Sequence, residues 1–186
     1  MQAILDSLDT SVLSACLSTV CGDMHFLPAW HFKHCNPIQV MGAVDGFGTW
    51  VPCNSEPLVL FRMEFGTIIW VQGTDMVYHA MPDYCLNCPV GIGLLGRFVL
   101  DEGRLPRVLV YDVICGPELS EVPEDRYCLL QRSNWLHGSG VSLQWCGQTA
   151  ALRASLLDKS FSPPHAVEAV CVLTANPCQQ GLVPIK

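Results

Sequence analysis

Between Pro57 and Met81 the chain carries three successive runs, PLVLFRMEF, GTIIWVQG and DMVYHAM, rich in β-branched and aromatic residues and punctuated by glycine or aspartate. Runs of this kind predict consecutive antiparallel strands. Two more, LLGRFVL over 94–100 and RVLVYDVI over 107–114, are joined by DEGRLP and predict a second hairpin. AVEAVCVLT over 166–174 predicts a last strand. Residues 23–57, crowded with His, Pro, Gly and Cys, predict irregular structure.

Helical signals are fewer. Ile4, Leu5, Leu8, Val12, Leu13, Cys16, Leu17 and Val20 recur at the spacing of an amphipathic helix, with Gly22 beyond its end. The segment 149–159 predicts a short helix capped by Thr149 and stopped by the Ser-Pro-Pro run, and 126–136 reads as helical or extended. Several strands with few helices predict an α+β sheet domain. The length fits one domain over 1–186, with an N-terminal helix over 1–22.

Half the residues are hydrophobic and 15% are charged, which suits an extensive sheet core or a buried interface. The formal net charge of −7 leaves no broad basic face for a phosphate backbone, so a nucleic-acid contact must be local. DNA binding is not expected. The N-terminus lacks the basic and apolar regions of a signal peptide, and no apolar stretch is long enough to span a membrane. The 11 cysteines are therefore expected as reduced thiols in a cytoplasmic or nuclear protein. Cys85 and Cys88, with His31, His34 and Cys35 upstream, offer zinc-ligand types, but their spacing fits no common zinc module. No metal or other cofactor is expected, and a Cys35–His31 nucleophilic pair lacks a third orienting residue.

The order of segments resembles the mRNA-capping guanylyltransferases of the nucleotidyltransferase superfamily. FRMEFGTIIWVQGTDMVYHAMPD is similar to the stretch that opens on their K-x-D-G lysine motif and runs into a hairpin. LLGRFVLDEGRLPRVLVYDVI resembles their next two motifs, and HAVEAVCVL their pocket-closing D-G-L-I-F strand. The snurportin cap-binding domain, which shares that fold, is similar over VMGAVDGFGTWVP, MPDYCL and LVYDVIC. The likeness covers about residues 40–180. It implies a nucleotidyltransferase-like core of antiparallel sheets with a few helices and no C-terminal OB domain.

The resemblance also names residues. At the lysine motif stand Arg62, Met63, Glu64 and Phe65, and an arginine stays protonated and cannot serve as the amine nucleophile. The next motif's carboxylate becomes Arg97, and the closing Asp-Gly becomes Glu168-Ala169. The three lysines, Lys33, Lys159 and Lys186, sit in no matching motif. Metal-assisted phosphoryl transfer needs several carboxylates, so the expectation is a pseudoenzyme. As a binding domain it implies a pocket of Arg62, Glu64, Arg97, Tyr111, Asp112 and Glu168, with the arginines on phosphate and Tyr111 stacking a base. Against this stands a plainer reading, in which Tyr111 is a core aromatic and Asp112 pairs with Arg107 or Arg126. Snurportin stacks its cap on a tryptophan near a C-terminal Gly-x-x-x-Pro; Gly181–Pro184 has none beside it, and Trp70 and Trp145 are the nearest in sequence. The implied partners are a capped RNA or guanine nucleotide, or a protein. The competing expectation is a structural subunit with a filled pocket and an exposed apolar patch.

Overall fold

The computed structural model describes residues 21–26, 38–40, 45–72, 76–101 and 106–185. Among the described residues the strands in chain order are β1 (Cys21–Phe26), β2 (Ile38–Val40), β3 (Phe47–Pro52), β4 (Glu56–Met63), β5 (Gly66–Val71) and β6 (Met76–Ala80). A 3-10 turn at Pro82–Tyr84 leads to β7 (Gly93–Leu100) and β8 (Pro106–Cys115). Helix α1 (Pro123–Arg132), β9 (Val141–Leu143), β10 (Gly147–Gln148), helix α2 (Thr149–Leu157), β11 (Val167–Leu173) and β12 (Gln179–Pro184) complete the order.

The strands form two sheets. One has seven strands in the order β1-β6-β5-β4-β7-β8-β9, and the other has five in the order β10-β3-β11-β12-β2. Among the described residues sheets dominate, two α-helices flank them, and the class is α+β. At the centre of the larger sheet, β4 is buried on both faces, which is why its sequence is a continuous apolar run rather than an alternating one. Leu58 and Leu60 join Leu94, Phe98, Val108 and Val110 on the outer face, under a cover that includes Tyr84, Leu86 and Trp135. Val59 and Phe61 point the other way, onto Val51, Cys171 and Leu173 of the smaller sheet. The main core is thus the layer between two face-to-face sheets. On the far side of the smaller sheet, Trp50 and Val170 pack under Leu152 of α2.

One ion pair ties the layers together. The Asp112 carboxylate on β8 accepts from Arg126 Nε at 2.8 Å and Nη2 at 3.1 Å, and both side chains are fully buried. The same guanidinium donates to the carbonyls of Ser120, Thr174 and Ala175, so it holds the turn after β8 and the end of β11 together. Pro123 at the first helical position, with Glu124 and Asp125 in the first turn and Arg132 in the last, orients α1 to deliver Arg126.

Residues 23–57 depart from the expected irregularity, since β3 is an interior strand of the smaller sheet and β1 and β2 are strands too. Tertiary pairing outweighs the local signal here. Gly48 looks like a strand breaker, yet a Cβ on it would lie 1.8 Å from the Cys171 carbonyl oxygen, so only glycine lets β3 close on β11. Thr149 does not cap α2. It is the helix's first residue, and its hydroxyl donates to the Gly46 carbonyl at 3.1 Å. Residues 126–136 divide: helix through Arg132, then residues in neither helix nor strand. The amphipathic pattern over 3–20 lies outside the described residues. Among the described residues, no helix is long and apolar enough to cross a membrane.

Candidate functional site

The six residues named by motif do not share one pocket. Arg97 pairs across the sheet with Pro57 of β4, and cross-strand partners share a face. Arg62 lies five residues further along β4, an odd number, so it points to the opposite face about 16 Å away. There it neighbours Cys88, whose thiol burial pushes up to about 11 against the nearby positive charge. Arg97 instead donates to the Ser55 hydroxyl at 3.1 Å. Glu64 is exposed in the β4–β5 turn, and Glu168 is exposed on β11.

Tyr111 and Asp112 are core groups, as in the plainer reading. A bulge opposite Leu95 and Gly96 adds Tyr111 to β8, and both side chains turn toward the smaller sheet. Tyr111 is buried, with its hydroxyl 3.2 Å from Gln180 Nε2, and burial pushes its phenol well above the usual range. Asp112 pairs with Arg126, not Arg107. Burial pushes its carboxyl up, opposed by the guanidinium. Trp70 is likewise buried in the inter-sheet core.

A cleft forms instead where the two sheets exchange the chain. β9 runs parallel to β8 for three residues, then Gln144, Trp145 and Cys146 cross to β10, which pairs with β3. The crossing leaves a cavity of about 520 Å³ against Trp50, the β7–β8 hairpin end and the loop before β11. That volume lies in the range of small-molecule sites.

One wall is aromatic. Trp145 stacks on Trp50 with ring centroids 6.4 Å apart and planes 19° apart, and Phe161 tilts onto Trp50 at 5.4 Å. Trp145 is 51% exposed, so it retains a free surface. Gly147 supports it, because a Cβ there would fall 2.3 Å from the far edge of the ring.

The opposite wall is polar. Asp101 accepts from Arg107 Nε and, at 3.1 Å, from His165 Nε2, and Arg107 Nη1 donates to the Ser142 hydroxyl at 2.6 Å. Gln144 Nε2 donates to Thr49 Oγ1 at 2.8 Å and to the Trp50 carbonyl at 2.6 Å. Three buried atoms on the lining residues have no partner among the described residues: Trp50 Nε1, Gln144 Oε1 and His165 Nδ1. They are the only such side-chain atoms among the described residues. An unmet buried hydrogen-bonding group costs about 1–3 kcal/mol, and all three atoms are enclosed by protein rather than open to the cleft, so they mark strain in the residues behind its surface.

A second cavity of about 460 Å³ adjoins the first and shares Pro164 and His165 with it. Lys159, Phe161 and Ser162 also line it.

The chain matches no protein-family model, and a comparison with curated proteins finds no relative.

Of the cleft residues, sequence reasoning had singled out only Trp145, as a stacking candidate, and Arg107, as an ion-pair partner. Trp50, Asp101, Ser142, Gln144 and His165 come from four separate segments with no motif spacing among them. Among the described residues, no group of three or more His, Cys, Asp or Glu is arranged to hold a metal ion. Cys85 Sγ lies 3.5 Å from the Ala80 carbonyl, and Cys88 is buried in the outer-face core. His31, His34 and Cys35 lie outside the described residues.

Proposed function

We propose that this chain is a non-catalytic, nucleotidyltransferase-like domain that binds a nucleotide or a capped RNA end in the Trp50–Trp145 cleft. The observation that carries the reading is the meeting, around one cavity, of a half-exposed stacking ring with the polar side chains of Asp101, Arg107 and Ser142. A nucleobase is a flat ring with donors and acceptors on its edges, and stacking one on an aromatic side chain contributes about 1–3 kcal/mol. The two-sheet α+β architecture and the order of the segments support the nucleotidyltransferase-like assignment. The ligand site differs from the one the motif residues imply, because those residues divide between the core, two faces of a sheet and solvent.

Several residues support the loss of catalysis. The lysine-motif position holds Arg62, which stays protonated. Lys159 brings an amine to the adjoining cavity, but no carboxylate among the described residues lines that cavity to hold a metal beside it. A cytoplasmic or nuclear setting, with capped RNA or a guanine nucleotide as ligand, goes with this reading.

A second reading, a protein-interaction subunit, is favoured by the exposure of Trp145 and Phe161 on either side of Trp50. Titration with GTP, a monomethylated cap analogue and a trimethylated one, followed by tryptophan fluorescence, separates the two. Saturable quenching by at least one of them is expected. No response to any favours the protein-interaction subunit. A labelled protein band after incubation with α-labelled GTP and Mg²⁺ would contradict the non-catalytic reading.

A further inference from the structure

We infer that the ligand cleft is bipartite: the Trp50–Trp145 lobe takes the base, and the adjoining lobe at Lys159, Ser162 and His165 takes the phosphate of the same nucleotide. This rests on the nucleotide reading above and adds where the phosphate goes and which cation meets it. His165 is the hinge of the arrangement. It belongs to both cavities, and its Nε2–H donates to Asp101 in the first. A ligand reaching from one lobe to the other passes this ring.

Charge separates the lobes from the rest of the molecule. The whole chain carries −7, with 17 acidic residues against 10 lysines and arginines. Among the described residues lining the two cavities the balance reverses, because Arg107 and Lys159 face a single carboxylate, that of Asp101. Asp101 is already engaged by Arg107 and His165. The acid next to Lys159 in sequence, Asp158, accepts instead from the Ser160 backbone N–H at 2.8 Å. Lys159 itself makes no ion pair with a described residue. Ser162 adds a hydroxyl donor of the kind that completes a phosphate site.

The backbone at Lys159 points the same way. It follows α2 with φ of +62°, in the left-handed region where glycine is the usual residue after a helix. A lysine there is strained relative to the ordinary right-handed or extended conformations. The strained position carries a cation on the wall of a cavity that otherwise offers one hydroxyl, one imidazole and apolar side chains.

Calorimetric titration of the full chain with guanosine, GMP and inorganic pyrophosphate at low salt tests the inference. GMP is expected to bind at least roughly tenfold more tightly than guanosine, the effect of one charge-assisted contact. That advantage should shrink with added salt, vanish in Lys159→Gly and survive in Lys159→Arg. Lys159→Gly relieves the left-handed backbone, so an unchanged or raised melting temperature excludes unfolding as the cause. Equal affinities for guanosine and GMP would overturn the phosphate lobe and leave the nucleotide reading standing. Pyrophosphate binding that Lys159→Gly abolishes is a further expected result. Absence of binding by both guanosine and GMP would sink the inference together with the reading it rests on.

Discussion

Arg126 spends its guanidinium on Asp112 in a two-point contact, and neither side chain reaches solvent. The pair joins the seven-stranded sheet to the carbonyls that end β11, so it fixes how the sheets meet and hence where the cleft between their edges lies. Removing one partner strands a buried charge. Arg126→Ala is expected to lower unfolding free energy by about 3–5 kcal/mol, read from urea denaturation. Asp112→Leu combined with Arg126→Met removes both charges and should recover much of that loss. A cost below about 1 kcal/mol for the single variant would contradict the structural role.

Alkaline pH should weaken the fold through groups that cannot ionise where they sit. Burial pushes the Cys171 thiol from 9.0 up to about 12, and it pushes Tyr111 upward too. Once pH exceeds the ordinary thiol value, the unfolded chain releases a proton that the native state keeps. Stability is therefore full below pH 9 and falls as pH rises toward 12. The loss from Cys171 alone is about 1.4 kcal/mol by one pH unit above its ordinary value. Urea midpoints measured at pH 8 and at pH 10.5 check this, and equal midpoints would contradict the burial of these groups.

Gly147 controls the stacking ring. A methyl group at that position must displace Trp145, whose ring edge lies 2.3 Å from the site of the new Cβ. Because Trp145 is half exposed, the ring has room to move, so Gly147→Ala is expected to cost less than about 1.5 kcal/mol of stability. Nucleotide affinity should fall by roughly tenfold as the stacking surface is lost. Unchanged affinity and fluorescence would show that the ring's position is irrelevant to binding.

Buried thiols should differ from exposed ones in reactivity. Cys128 on α1 is exposed, whereas Cys146 and Cys171 lie between the sheets, where burial pushes their thiols up. Iodoacetamide at pH 8 with peptide mapping is expected to label Cys128 within minutes and the other two only after denaturation. Rapid labelling of Cys171 in the native protein would contradict the sheet packing.

The sheet core was largely legible in the sequence, because β4, β5, β7 and β8 are apolar enough to announce themselves without tertiary context. β3 was not, since its Gly48 and Pro52 read as breakers until the approach to the Cys171 carbonyl explains the glycine. β12 was missed for a similar reason: Gly181 and Pro184 interrupt a strand whose pairing partner, β11, is what defines it. The site was harder still. Motif order put Arg62 and Arg97 on adjacent strands, but side-chain parity, fixed only by the register of Pro57 on Arg97, sends them to opposite faces. Asp101, Gln144 and His165 acquire meaning only when the β9–β10 crossing brings their segments together, and no local pattern encodes that crossing.

The indole N–H resonances test most directly whether the Trp50–Trp145 cleft is the ligand site. The chain has five tryptophans. In a nitrogen–proton correlation spectrum assigned with single Trp→Phe variants, GTP or a cap analogue should shift the Trp145 signal. It should also move the signal of Trp50, on which Trp145 stacks, while Trp70 in the inter-sheet core stays still. Saturating ligand that leaves Trp50 and Trp145 unmoved would contradict the account.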